Sequence, residues 1–274
     1  MASESQWPPA ASAASLPLDQ IICGDNCEIM RQMPSESIDL VVTSPPYDDL
    51  RTYGGHSWDF YGVAWNLKRL LKPGGVIVWV VADATKDGSE TGTSMRQALH
   101  FQGIGMLIHD TMIYMSNKPP LTHRRYEQSW EYSFVVSKGK PATFNPLMRK
   151  TSTAGGLPGR FMQNACDATY SVAHKKSRTG EETYRPNAWY YHAGRDRSNG
   201  EHPAPFPEAL ARDHILSWSN PGDVVLDPFS GSGTTAKMAR ETGRRFIGIE
   251  VNPEYVEISR KRLAQQGLPM DGVA

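Results

Sequence analysis

Two short stretches bring together residue types that can do chemistry. The first is Ser44, Pro45, Pro46 and Tyr47, which follow the apolar run IDLVVT directly. Proline fixes its own φ and restricts the residue before it, so a double proline stiffens the mouth of a strand where loops usually need freedom. A backbone held this rigidly suits groups that must keep their place during a reaction. The second stretch, DVVLDPFSGSGTTAKMARETGRRFIGIE over residues 223–250, reads as a strand, a glycine-rich turn, a helix and a second strand ending in an acid. Gly231 and Gly233 let the turn pass close to a ligand, and the N-terminus of the next helix offers N–H groups to negative charge. Glu250 stands 23 residues after Asp227, near the ~20 expected of an acid that grips ribose hydroxyls.

The loop is not a Walker A loop, because no Lys-Ser or Lys-Thr follows its last glycine, and GSGTTA carries Ala236 in the third glycine position. Alone it suits NAD, a flavin or S-adenosylmethionine, or a tight structural turn. The elements that must position both stretches are legible. Strands are expected at 20–24, 38–43, 75–81, 106–115, 130–138, 223–227 and 245–250, with helices between them at about 26–33, 61–71, 94–102, 206–218, 233–242 and 254–266. This alternation predicts a doubly wound α/β sheet. Residues 139–200, rich in Gly, Pro, Lys and Tyr, show no period and read as an insert.

Lys and Arg balance Asp and Glu at 29 each, yet the charges are unevenly spread. Between Asn117 and Gly200 there are 14 basic residues against 6 acidic, leaving 15 against 23 elsewhere. A basic middle inside an acidic frame suggests a segment that faces a polyanion. Hydrophobic residues make up 39% of the chain, and the longest apolar run, GVIVWVVA at 75–82, is too short to span a membrane and reads as a buried strand. Cys23, Cys27 and Cys166 form no disulfide framework or zinc pattern, which fits packing roles in a reducing cytoplasmic compartment. The opening segment lacks the basic start and apolar core of a secretory signal, and a disordered tail is expected over 1–18.

TSPPY after IDLVV, with DPFSGSGTT further on, resembles the amino-methyltransferases of DNA, and the order of the motifs resembles their permuted β class. The likeness covers residues 20–265. It implies a Rossmann-like, circularly permuted, mostly parallel seven-stranded sheet, with S-adenosyl-L-methionine as cofactor and double-stranded DNA as partner. It divides the chain into a catalytic half at 19–138, a target-recognition insert at 139–200 and a cofactor-binding half at 201–274. The resemblance assigns Ser44 and the Pro45 carbonyl as acceptors for the target amine, held by Pro46, and Tyr47 as the stacking partner of a base swung out of the duplex. It places the cofactor against Asp25, Thr43, His202, Phe206, Asp227, Pro228, Phe229, Ser230, Gly231, Ser232, Gly233, Thr234, Thr235, Glu250 and Asn252.

Ser-Pro-Pro-Tyr in such enzymes goes mainly with cytosine N4, which is the expected target, with adenine N6 as the alternative. Asp48 and Asp49 are read as solvated loop acids, with receipt of the proton released after transfer as the alternative, and Trp58, Phe60 and Tyr61 as packing. An enzyme of RNA or of a small amine and a non-catalytic DNA-binding protein are more distant readings. A cognate restriction endonuclease and a homodimer are left open, and no metal is expected.

Overall fold

The computed structural model describes residues 15–47, 58–116, 126, 128–150, 182–191 and 207–265. The elements in chain order are β1 (Gln20–Cys23), α1 (Asn26–Gln32), β2 (Ile38–Thr43), α2 (Phe60–Leu70) and β3 (Leu71–Val81). A hairpin of β4 (Thr85–Lys86) and β5 (Ser89–Glu90) leads to α3 (Thr93–Gly103), β6 (Leu107–Ser116) and β7 (Trp130–Ser137). Then come β8 (Met148–Lys150), β9 (Glu182–Tyr184) and β10 (Ala188–Tyr191). The chain continues with α4 (Glu208–Trp218), β11 (Val224–Asp227), α5 (Thr234–Glu241), β12 (Arg245–Glu250) and α6 (Pro253–Ala264).

The chain divides into two compact units, one running to Asn145 and resuming at Asn187, the other spanning Pro146–Pro186. In the second unit, β8 and β9 pair antiparallel. Among the described residues the main sheet of the first unit runs in the order β1-β12-β11-β2-β3-β7-β6-β10, beside the two-stranded β4–β5 hairpin. Only β7 runs antiparallel to its neighbours. The sheet has eight strands among the described residues, one more than the seven predicted. The extra strand is β10, whose Ala188–Tyr191 pairs parallel with Ile113–Ser116 of β6. Its Trp189 is buried and lies 4.7 Å from the His214 ring of α4.

Burial explains why the central strands read as continuous apolar runs. Leu40, Val41 and Val42 of β2 and Ile77, Val78, Trp79 and Val80 of β3 are fully buried, as expected of parallel strands covered by helices on both faces. On α2, Val63, Ala64, Leu67 and Leu70 recur at helical spacing on the buried side, whereas Tyr61 stands 62% exposed. Strand β3 begins four residues earlier than the apolar run suggests. Leu71 pairs with Ile38 and Val76 with Leu40, so Lys72 to Gly75 bulge out of register. Gly74 makes this excursion possible: its φ is +79°, and an added Cβ would lie 2.8 Å from the Ala142 Cβ.

The winding reverses between β11 and β2. From β11 the chain passes through α5 to β12 on one side; from β2 it passes through α2 to β3 on the other. Ligands of open α/β sheets bind at such a switch point, outside the carboxyl ends of the strands. Strand β12 leads into α6, where Arg260 donates to the Ile21 carbonyl of β1, the strand beside β12. Read from β11, the unit would continue from α6 into β1. In this chain β1 comes first instead, the circular permutation that the motif order implies.

Candidate active site

Asp227 ends β11 and Thr43 ends β2, and the two strands are neighbours. The Thr43 hydroxyl donates to Asp227 Oδ1 at 2.7 Å, joining the two chemistry-bearing stretches at the switch point. The Phe229 amide donates to the same oxygen at 3.1 Å, and Thr235 Oγ1 donates to the Val42 carbonyl at 3.2 Å, a second tie between loop and β2. Asp227 is 6% exposed. Burial pushes its carboxyl from 3.8 up to about 6, against the pull of its hydrogen bonds from Thr43 and Phe229, and nearby Glu250 adds to the rise.

The glycine loop is held from several sides. Gly231 and Gly233 take φ of +50° and +79°. A Cβ on Gly233 would meet the Ser259 Cβ at 3.0 Å, so the loop presses on α6, and Ser259 Oγ donates to the Gly231 carbonyl at 2.7 Å. Arg262 of α6 donates to the Ser232 carbonyl and to Thr234 Oγ1, and also pairs with Glu208 of α4, which binds Lys237 of α5 at 2.7 Å. Glu250 closes the loop from β12: its Oε2 accepts from the Gly231 amide at 2.8 Å and its Oε1 from the Asn252 amide at 2.9 Å. These use two of the roughly four lone-pair sites of a carboxylate, leaving acceptor capacity for a vicinal diol.

Asp25 and Asn252 occupy helix starts beside this loop. Asp25 Oδ1 accepts from the Glu28 amide at 2.9 Å and caps α1; Asn252 Oδ1 accepts from the Glu254 amide at 2.8 Å and caps α6. Asn26 Nδ2 donates to the Pro228 carbonyl at 3.2 Å, fixing α1 against the loop. Phe229 is partly buried, with its ring 4.9 Å from Trp58 and 6.4 Å from Trp79. Trp58 and Phe60 therefore join the aromatic packing. Ser230, Ser232, Thr234 and Thr235 are all buried.

On the other side of Thr43, Pro45 is buried, while Ser44, Pro46 and Tyr47 are partly exposed. Ser44 Oγ lies 2.8 Å from Tyr47 Oη, and Tyr47 Oη donates to Glu131 Oε2 at 2.7 Å. Glu131 is a member of the site that sequence reasoning missed. It reaches the carboxyl edge of the sheet because β7 runs backwards: Tyr132 pairs with Val81, the last residue of β3, so the start of β7 lies at the end of its neighbours. The alternating Trp130, Tyr132 and Phe134, the first pair meeting edge to face and the second stacked, mark a strand that sends Glu131 to the opposite face. His202, Phe206, Asp48 and Asp49 lie outside the described residues, as does most of the basic segment. Among the described residues no cluster of His, Cys, Asp and Glu could hold a metal ion, and no helix is long and apolar enough to cross a membrane.

Asp25 thus follows the end of β1, and Asp227 and Glu250 end β11 and β12, three strands that lie side by side in the order β1-β12-β11. This set fits a nucleoside cofactor with a ribose diol and a positively charged amino-acid tail. Comparisons with known proteins agree. The family described as DNA methylase, N6_N4_Mtase, matches residues 38–261. The orphan methyltransferase M.BamHII of Bacillus amyloliquefaciens is 48% identical over 237 residues, covering 83% of this chain and 89% of that protein. TTHA0409 of Thermus thermophilus, solved in complex with S-adenosyl-L-methionine, is 27% identical with a TM-score of 0.61, over 91% of this chain and 97% of that one. The PvuII DNA methyltransferase (cytosine-N4-specific) shares the fold at 24% identity, with a TM-score of 0.67 over 90% of this chain and 87% of that one. By its sheet, its joined motifs and these matches, the chain belongs to the N6_N4_Mtase family of DNA methylases, which depend on S-adenosyl-L-methionine.

Proposed function

We propose that the chain methylates the exocyclic N4 of cytosine in duplex DNA, acting on a base swung out of the helix. The observation that carries this reading is the Thr43–Asp227 hydrogen bond, which holds the Ser44–Tyr47 tetrapeptide beside the glycine loop. S-adenosyl-L-methionine, when bound, supplies the electrophilic methyl group. Glu250 would hold its ribose and Asp25 would lie at its adenine, with the loop from Asp227 to Thr235, and His202 and Phe206, toward its methionine end.

An exocyclic amine is a poor nucleophile because its lone pair is delocalised into the ring. Acceptors aimed at its hydrogens rotate or pyramidalise the nitrogen, and here Ser44 Oγ and the Pro45 carbonyl take that part. Pro45 and Pro46 keep the carbonyl from wandering, and correct placement of two reactants lowers a barrier by as much as ~7–11 kcal/mol. Tyr47 presents a ring on which the extruded base stacks, offsetting a flipping cost of roughly a few kcal/mol. The basic middle of the chain grips phosphate and supplies target recognition. Serine at position 44, where related adenine enzymes mainly carry aspartate, favours cytosine. No cognate endonuclease or second copy is needed for this chemistry.

Ser44→Ala tests the reading. Cofactor affinity should persist while single-turnover methyl transfer to duplex DNA falls by orders of magnitude, because the lost acceptor acts where the nitrogen reorganises. Full transfer activity in Ser44→Ala would contradict it.

A further inference from the structure

The chain of hydrogen bonds from Ser44 through Tyr47 to Glu131 has a direction. An ionised carboxylate only accepts, so the 2.7 Å contact makes Tyr47 the donor to Glu131. A phenol has one hydrogen. The 2.8 Å contact between Ser44 Oγ and Tyr47 Oη must then run from Ser44 to Tyr47. Ser44 therefore points its hydrogen along the chain and turns its lone pairs toward an incoming amine.

An amine that gains a methyl group gains positive charge and must lose a proton. We propose that Glu131 is the terminal acceptor of that proton, reached by relay through Ser44 and Tyr47. The proposal rests on the reading of Ser44 as an acceptor for the target amine. As the nitrogen–carbon bond forms and the carbon–sulfur bond breaks, leaving S-adenosylhomocysteine, the amine proton passes to Ser44 Oγ. The Ser44 hydroxyl proton passes to Tyr47 Oη, and the Tyr47 proton to Glu131 Oε2. The methylated base ends neutral, and so does Glu131. Glu131 is partly buried, and it returns the proton to water between turnovers. It acts only through Tyr47, and the drain of charge it offers is felt while the methyl group is being transferred.

The test is single-turnover methyl transfer to an enzymatically amplified, unmodified duplex DNA library of random sequence. Glu131→Gln keeps an oxygen to accept from Tyr47 but cannot take its proton, and the rate should fall on the order of a hundredfold or more. Glu131→Asp should recover most of the rate. Tyr47→Phe, which keeps the ring and removes the relay hydroxyl, should fall comparably, and the double variant should be no slower than the slower single one. Formate, but not formamide, should speed Glu131→Ala. In the cofactor-free protein, the carboxyl carbon-13 resonance of Glu131 should move on Tyr47→Phe. A wild-type rate in Glu131→Gln, equal rescue by formamide, additive losses in the double variant, or an unmoved resonance would each overturn the relay. If Ser44→Ala transfers at full rate, the reading beneath the relay fails; if Ser44→Ala is slow and Glu131→Gln is fast, the relay alone fails.

Discussion

Asp227→Asn should stabilise the cofactor-free protein at neutral pH and leave it nearly unchanged in mild acid. Burial raises the Asp227 carboxyl from 3.8 to about 6, despite its hydrogen bonds from Thr43 and Phe229. Because the folded value lies above the unfolded one, the native state holds more protons across that window. The contribution to stability is fully present below 3.8 and is lost as the pH rises through about 6. The size of the rise corresponds to about 3 kcal/mol against folding above that pH. Asparagine removes the buried charge and keeps an oxygen for Thr43 and Phe229, but it buries an NH2 group that costs about 1 kcal/mol if poorly paired. The expected result is a gain of about 2 kcal/mol at pH 7.5 and roughly none at pH 4.5, where most of the charge penalty is already relieved. Urea unfolding at the two pH values measures this. An equal loss of several kcal/mol at both would refute the argument, because Asp227 would then act through its hydrogen bonds and not as a desolvated charge.

Gly233→Ala forces a left-handed backbone on a residue with a side chain and drives its Cβ to 3.0 Å from Ser259. A loss of about 2 kcal/mol, seen as a Tm lowered by roughly 4–8 °C, is expected, and an unchanged Tm would mean that the loop does not press on α6. Glu250→Ala should weaken cofactor binding by on the order of a hundredfold by calorimetry, since hydrogen bonds to a charged group are lost together with the tether on Gly231. Unchanged affinity would contradict the ribose assignment.

The sheet was legible wherever a strand is apolar enough to stand alone. IDLVVT, GVIVWVV and RFIGIE announce themselves, as do the amphipathic helices between them. Strand β10 was not legible, because AWYY is four residues in a basic, glycine-rich stretch and becomes a strand only by pairing with the edge of β6. The bulge before Val76 was hidden for a related reason: register depends on β2, which is distant in sequence. Both chemistry-bearing motifs could be read locally, but the bond that joins them, Thr43 to Asp227, spans 184 residues. Glu131 carried no local mark of function. Its place follows from the reversed direction of β7, a property of the whole sheet that the strand's own residues do not encode.

The most direct measurement is of the modified base itself. The chain and its Ser44→Ala variant would be expressed in cells stripped of their own DNA methyltransferases, and the genomic DNA digested to nucleosides for mass spectrometry. N4-methylcytosine is expected with the native chain and none with Ser44→Ala. N6-methyladenine alone would contradict the choice of base, and N4-methylcytosine undiminished in Ser44→Ala would contradict the mechanism.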